Sequence, residues 1–387
     1  MLAMFTRQLL LPDRSFFLFG PRATGKTTWL RQVLPGDALW FDLLRIDTVL
    51  GLSRRPESFR QQVEAGPRGR WIVVDEVQRL PALLGEVHAL IAEHPRAYRF
   101  ALSGSSARKL RRLDVDLLAG RAINRQFFPL TASEFGGHAD PDLVLRFGLL
   151  PQVHDEPEAA LDILDAYVAN YVREEIQQEA LVRSLDSFAR FLEVAALLNG
   201  QIVNVARIAR DAGVARPTVQ GYFATLIDTL VGFWLPAWRR RAKVKEVGRP
   251  KFYFFDPGVA RALGGRLREP LDAGERGFLL ETWVLHELRA AIAYQSLGGH
   301  LSYWRTPSGS EVDFVWTRGS RAVGVEVKAS TTWRREDGAA LKKLAEAGVL
   351  TAGHGVYTGA RELKDGPVRV WPLHRFFAQL TAGHILD

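Results

Sequence analysis

The sequence predicts an α/β protein whose first domain is a parallel sheet with helices on both faces. Three observations predict it. Over residues 1–135 short apolar runs alternate with helical stretches, the pattern of parallel strands joined by crossover helices. The first run, Phe16–Phe19, breaks directly into Gly20-Pro21-Arg22-Ala23-Thr24-Gly25-Lys26-Thr27. A later run, Trp71–Val74, ends in the paired carboxylates Asp75 and Glu76.

In chain order the expected strands are Phe16–Phe19, Ala38–Leu43, Trp71–Asp75, Tyr98–Ser103 and Ala122–Phe128. The loop after the first strand has the spacing G-x-x-x-x-G-K-[ST], read at Gly20, Gly25, Lys26 and Thr27. Glycines at those positions let consecutive N–H groups curl around phosphate oxygens, and the following helix adds its positive end. Lys26 is expected to reach the β/γ-phosphates, and the Thr27 hydroxyl to ligate Mg²⁺. The loop as a whole, Gly20 to Thr28 with Pro21, Arg22, Ala23 and Thr24, is the expected nucleotide contact. The fold is therefore that of a P-loop NTPase.

Asp75 is expected in the Mg²⁺ shell, with Glu76 polarising the attacking water. A single strand between the two motifs and a Glu directly after the metal Asp suit NTPases that hydrolyse with a strand-end glutamate. They do not suit GTPases or small-molecule kinases. Ser103, ending the fourth strand in Leu102-Ser103-Gly104-Ser105-Ser106, is placed to hold the water or sense the terminal phosphate; a Ser/Gly turn reads equally well. Arg121, in Leu117-Leu118-Ala119-Gly120-Arg121, is either an arginine finger or a surface pairing residue. Acting on a neighbouring subunit's site, it would imply a homo-oligomer.

Residues 136–200 turn helical, with helices expected over Ala160–Glu179 and Asp186–Leu198. The spacing of Leu161, Leu164, Val168, Tyr171 and Val172 marks an amphipathic connector. Residues 201–264 change character. Val205, Ile208 and Ala209 lead through Gly213 to a second helix starting near Arg216, the pattern of a helix-turn-helix. Apolar Leu230–Pro236 follows, then the basic run Arg239, Arg240, Arg241, Lys243, Lys245, Arg249 and Lys251, and a strand at Phe252–Phe255. That is the layout of a winged helix with a basic wing. Arg216, Thr218, Arg239, Arg240, Arg241, Lys243 and Lys245 are the expected nucleic-acid contacts. The same module also reads as a structural lid on the first domain.

Residues 265–387 carry a second candidate site. Glu281 lies in a helical stretch, Gly277 to Leu288. Two alternating strands then form a hairpin, Glu311–Val315 and Val323–Lys328, around Arg318–Gly319. Glu326 and Lys328 are two apart and share a strand face, which should also present Asp313. Two carboxylates and a lysine on one face can bind a divalent metal and orient a water for phosphodiester attack. A charged face on an exposed hairpin is the plainer alternative.

Composition narrows the class. The 387 residues are 47% hydrophobic and 24% charged, which describes a globular chain of two or three domains. With no cysteine, disulfides and Cys-ligated zinc are excluded. No apolar run is long enough to span a bilayer, and Asp13 and Arg14 interrupt the first apolar stretch, so no membrane association and a cytoplasmic location are expected. The net charge of +8 is uneven: 21 basic against 15 acidic side chains over 1–150, 6 against 12 over 151–235, and 24 against 16 over 236–387. Two basic ends around an acidic waist favour a polyanionic partner.

With these residues in view, the chain resembles a family of prokaryotic AAA-type ATPases that join a P-loop domain to a C-terminal domain of poorly defined function. The resemblance rests on residues 20–30, 71–78, 102–110, 117–122, 250–263, 311–315 and 324–328. It implies ATP and Mg²⁺ bound through Lys26 and Thr27, with Asp75 and Glu76 acting in hydrolysis. The C-terminal part resembles the PD-(D/E)XK nuclease fold, which implies a four-stranded mixed sheet flanked by helices. That likeness assigns Glu281 as the helix carboxylate, Asp313 and Glu326 as ligands of a second divalent ion (Mg²⁺ or Mn²⁺), and Lys328 as the lysine. Ser103 stands where the family more often has Thr, and Val312 replaces the proline of the nuclease name. Two readings follow: an ATPase governing a metal-dependent nuclease on DNA, or a nucleotide-dependent DNA-binding or regulatory ATPase whose nuclease-like domain does not cut.

Overall fold

The computed structural model describes residues 5–105, 120–136, 139–172, 184–239 and 248–386. The chain divides into two compact units, one comprising Leu9–Pro129 with residues 228–230, the other the remainder.

The Leu9–Pro129 unit is built on five strands: β1 (Phe16–Phe19), β2 (Leu39–Asp42), β3 (Trp71–Asp75), β4 (Arg99–Gly104) and β5 (Ile123–Gln126). They lie in the order β2-β3-β4-β1-β5, and every pairing is parallel. Parallel neighbours need crossovers, supplied here by α1 (Lys26–Val33), α2 (Ile46–Arg54), α3 (Glu57–Glu64) and α4 (Leu83–Glu93). All five residues of β3 are buried, which is why that strand reads as a continuous apolar run. Alternate residues serve opposite faces. Ile72 and Val74 join a cluster with Leu52 of α2, Phe59 and Val63 of α3, and Leu84 and Val87 of α4. On the other side Phe16 packs against Trp71 and against Trp29 of α1, with ring centroids 5.7 and 6.3 Å apart. Helices thus cover both faces, as expected.

The strand order decides where chemistry can gather. β4 separates β1 from β3, so the carboxyl ends of all three meet, and the Gly20 N–H donates to the Gly104 carbonyl at 3.3 Å. Ligands of open parallel sheets bind at such ends.

The other unit centres on a long helix, Ala273–Tyr294, packed on a mixed sheet. Its strands are β8 (His300–Arg305), β9 (Glu311–Arg318), β10 (Arg321–Lys328), β11 (Ala352–Tyr357), β12 (Leu363–Asp365) and β13 (Val368–Pro372). The order is β12-β13-β11-β10-β9-β8. β8, β9 and β10 form an antiparallel meander, β10, β11 and β13 run parallel, and β12 pairs antiparallel at the edge. Six strands correct the four implied by resemblance, because β8 and the three-residue β12 extend the two edges. Gly319, at φ 61°, makes the expected turn between β9 and β10.

Before this sheet the unit is helical. A helix over Ala160–Ala166 widens into a π-helical turn at Tyr167–Val172, correcting the uninterrupted helix expected to Glu179; residues 173–183 lie outside the described residues. Helices Leu185–Leu197, Val205–Asp211 and Arg216–Asp228 follow, then strands β6 (Gly232–Leu235) and β7 (Lys251–Phe254), paired antiparallel. Ile208, Val219, Phe223 and Phe252 share one apolar cluster with Leu164 and Phe191. The helix pair and the hairpin are therefore packed as one body.

Candidate nucleotide site and carboxylate pocket

At the end of β1 the chain must be glycine. A Cβ on Gly20 would lie 2.2 Å from the Phe127 carbonyl oxygen, so no side chain fits beside the neighbouring strand. Gly25 holds φ 89° as the residue leading into α1, a left-handed conformation that costs glycine little. Between them the loop folds around Lys26. Its buried ammonium donates to the carbonyls of Gly20 and Pro21, each at 2.8 Å, and the Thr24 hydroxyl donates to Pro21 O at 2.9 Å. Arg22 is half-buried, while Ala23 and Thr28 are exposed.

Asp75 gathers the next layer. Its Oδ2 accepts from Thr27 Oγ1 at 2.7 Å, and its Oδ1 accepts from Ser103 Oγ. Ser103 Oγ in turn accepts the Glu76 backbone N–H at 3.2 Å. Burial pushes the Asp75 carboxyl up, and the bonds from Ser103 and Thr27 pull against that shift. Glu76 sits at φ 58°, ψ 49°, a left-handed backbone that costs a non-glycine residue roughly 1–2 kcal/mol. Its carboxylate accepts from Gln78 Nε2 and, at 3.2 Å, from Ser105 Oγ.

The structure therefore brings Gly20, Thr24, Lys26, Thr27, Asp75, Glu76 and Ser103 together, and adds Gln78 and Ser105. Gln78 carries no motif signal beyond lying two residues after Glu76. Arg121 is exposed and sits 2.6 Å from His88 Nε2, a pairing within the chain's own surface. The hydroxyl of Thr27 and the carboxylate of Asp75 are hard oxygen donors already in contact, a set that fits Mg²⁺.

The second site lines a cavity of about 940 Å³ in the other unit. The register that pairs Phe314 with Val325 sets Asp313 opposite Glu326. The Asp313 N–H lies 3.4 Å from Glu326 Oε2, and the Val327 N–H donates to Asp313 Oδ2 at 2.8 Å. Lys328 Nζ donates to Glu326 Oε1 at 2.6 Å. The helix Ala273–Tyr294 presents Glu281 into the same cavity. The predicted quartet therefore shares one pocket.

Sequence reasoning missed its other half. Lys251, taken as one of the basic wing residues, is 4% exposed. Its ammonium lies 2.6 Å from Glu311 Oε1 and 3.8 Å from Glu281 Oε2. Tyr253, on the same strand face, donates to Glu281 Oε2 at 3.1 Å, and Arg305 lies 3.1 Å from Glu311 Oε2. The available signal was the period of two: Lys251 with Tyr253, and Glu311 with Asp313.

Burial and repulsion from Asp313 push the Glu281 carboxyl up to about 8, against the opposing pull of Lys251. Burial and the Asp313 charge likewise raise Glu326, and burial raises Asp313. Burial alone would lower Lys251, but the charges of Glu281, Asp313 and Glu311 outweigh it and hold the ammonium protonated. The oxygens of these carboxylates are the donor type of Mg²⁺ or Mn²⁺. In this arrangement the donor atoms of Glu281, Asp313 and Glu326 do not all lie within 4.8 Å of one another.

Of the expected nucleic-acid contacts, Arg216 is exposed and Thr218 half-buried at the start of the helix Arg216–Asp228. Arg239 is exposed and donates to the Gly248 carbonyl at 3.3 Å. Arg240, Arg241, Lys243 and Lys245 lie outside the described residues. Among the described residues, no helix is long and apolar enough to cross a membrane.

A family model described as an AAA domain matches residues 12–136. Two further models, the domains of unknown function DUF8612 and DUF4143, match residues 140–270 and 276–376. The uncharacterised protein Rv2008c of Mycobacterium tuberculosis is 30% identical over 328 residues, covering 81% of this chain and 70% of its own length. The chain belongs to the family of that protein. The uncharacterised protein Mb2031c of Mycobacterium bovis, a second member, matches with the same identity and coverage. The first domain of this family member is an AAA-type P-loop ATPase domain, and its C-terminal domain is of the DUF4143 type. Among solved structures, a variant of RuvB from Thermotoga maritima is 17% identical, covering 58% of this chain and 82% of its own, with a TM-score of 0.29. Can2 of Sulfobacillus thermosulfidooxidans, in complex with cyclic tetra-adenylate, is 12% identical, covering 97% of this chain and all of its own, with a TM-score of 0.24. At these values neither bears on how this chain folds or acts.

Proposed function

We propose that this protein binds and hydrolyses ATP at the strand ends of its first unit and uses its C-terminal pocket on DNA. The observation that carries the first part is the hydrogen-bonded set Thr27–Asp75–Ser103–Glu76, which joins the phosphate loop to the strand end carrying the candidate base. In this reading Lys26 turns from the loop carbonyls to the β/γ-phosphates, and loop N–H groups cradle them. Thr27 and Asp75 would hold Mg²⁺, which supplies neutralising charge on the phosphates. Glu76 takes the proton of the attacking water, and Gln78 with Ser105 fixes the direction of its carboxylate. Phosphate release by wild type, Lys26→Ala and Glu76→Gln tests this. Glu76→Gln should bind ATP normally and lose turnover by about 10²–10⁴-fold; normal turnover in that variant would refute the base.

In the C-terminal pocket Asp313 and Glu326 would hold a divalent ion, whose chemistry is to polarise a phosphodiester and acidify a bound water. Lys328 offsets charge on the phosphate, Glu281 completes the acidic wall, and Arg216, Thr218 and Arg239 with the run to Lys245 contact the DNA backbone. What supports this reading is the convergence of Glu281, Glu311, Asp313 and Glu326 with Lys251 and Lys328 in a cavity wide enough for a nucleotide. One observation favours a non-cleaving pocket instead. Lys251, Tyr253 and Lys328 already engage the carboxylates of Glu281, Glu311 and Glu326.

A further inference from the structure

We infer that the C-terminal pocket is a one-ion site in which the ammonium of Lys251 takes the place of a second divalent cation. The inference rests on the metal-site reading above and says how many ions that site holds.

Besides Glu336 and Asp337, four carboxylates line one cavity, those of Glu281, Glu311, Asp313 and Glu326. Such a number could hold two divalent ions. Their partners divide them into two pairs. Glu281 and Glu311 both face Lys251, at 3.8 and 2.6 Å. Their remaining contacts are also donors: Tyr253 on Glu281 Oε2, and Arg305 on Glu311 Oε2. Asp313 and Glu326 instead meet backbone N–H groups and the single ammonium of Lys328.

The two lysines differ in their freedom. The Lys251 side chain is 5% exposed, its strand is paired to β6 through Leu235, and its ammonium lies 5.3 Å from the centre of the Tyr303 ring. Two carboxylates and the face of the Tyr303 ring hold it in place. The Lys328 side chain is 33% exposed and can swing away from Glu326. A cation entering the pocket therefore displaces Lys328 easily and Lys251 hardly at all.

Charge disfavours a second ion. A second ion beside a buried ammonium would be repelled by it.

Manganese counting tests this on the full chain without nucleotide. Bound Mn²⁺ is measured by electron paramagnetic resonance during titration. The ions lost on combining Asp313→Asn with Glu326→Gln are those of the pocket. The expected count is one in wild type, one in Lys251→Arg, and two in Lys251→Met. Two pocket ions in wild type overturn the inference and leave the metal-site reading standing. A folded Lys251→Met protein that still binds one ion with unchanged affinity also overturns it. No pocket ion in wild type removes the metal-site reading, and the inference with it. Near-ultraviolet circular dichroism reports folding of Lys251→Met; if that variant does not fold, the wild-type and Lys251→Arg counts decide.

Discussion

Thr27 Oγ1 donates to Asp75 Oδ2 at 2.7 Å, joining the first turn of α1 to the end of β3 across 48 residues of sequence. Parallel topology makes the contact necessary, because β4 between β1 and β3 brings both carboxyl ends to the same rim. Thr27→Ala should therefore act through Mg²⁺ more than through ATP. The half-saturating Mg²⁺ concentration for phosphate release should rise by about tenfold or more, in line with about 1.5–3 kcal/mol for a hydrogen bond to a charged group. A magnesium titration of turnover at saturating ATP checks this; an unchanged midpoint contradicts it.

Gln78 touches the Glu76 carboxylate and makes no contact with the phosphate loop among its hydrogen bonds. Gln78→Ala should lower kcat about tenfold while KM for ATP stays put, the signature of an interaction felt in the transition state only. Steady-state kinetics separates the cases: a raised KM with unchanged kcat would place Gln78 in nucleotide binding instead.

The fit of Gly20 against Phe127 gives a stability prediction. Gly20→Ala forces a methyl to 2.2 Å from a backbone carbonyl, so β1 and β5 must part. Overpacking of this kind costs about 1–3 kcal/mol. Thermal unfolding followed by circular dichroism should show a lowered midpoint, and an unchanged one would mean that the strands separate without penalty.

Glu287 supplies the pH dependence. Its Oε1 accepts the Ala132 N–H at 2.8 Å and the Trp283 indole N–H at 3.1 Å, and burial pushes its carboxyl up to about 8. A folded-state value raised above the unfolded 4.5 means that the native state holds its proton more tightly. This contribution to stability is complete below about pH 4.5 and is lost progressively as pH rises towards 8. Glu287→Gln keeps an Oε1 for both bonds and has no proton to lose. Urea unfolding should show a smaller loss of stability from about pH 5 to pH 8 in the variant, by on the order of 3 kcal/mol. Equal slopes in the two proteins would contradict the assignment.

Much of this arrangement was legible in the sequence for identifiable reasons. Buried parallel strands such as Trp71–Asp75 must be apolar throughout, so the five-stranded sheet announced itself. A period of two sets Glu326 and Lys328 on one strand face, and the hairpin pairing adds Asp313 from the partner strand. Lys251 was legible only through the period of two it shares with Tyr253, because a run of basic residues carries no sign of depth: Lys251 and Tyr253 turn towards Glu281, while Phe252 and Phe254 enter the apolar cluster on the other face. The short edge strand β12, Leu363–Asp365, has too few residues to show alternation. The π-helical turn at Tyr167–Val172 was hidden because its residue spacing differs little from that of an α-helix over one turn.

The proposed function joins an ATPase site and a metal-dependent pocket acting on DNA in one chain. Its most direct test is incubation of labelled single-stranded, duplex and branched DNA with Mg²⁺ or Mn²⁺, with and without ATP, comparing wild type with Glu326→Ala and Lys26→Ala. The expected result is cleavage by wild type, its loss in Glu326→Ala, and an altered response to ATP in Lys26→Ala. No cleavage of any substrate by a wild-type protein that hydrolyses ATP would contradict it and leave the pocket a binding face.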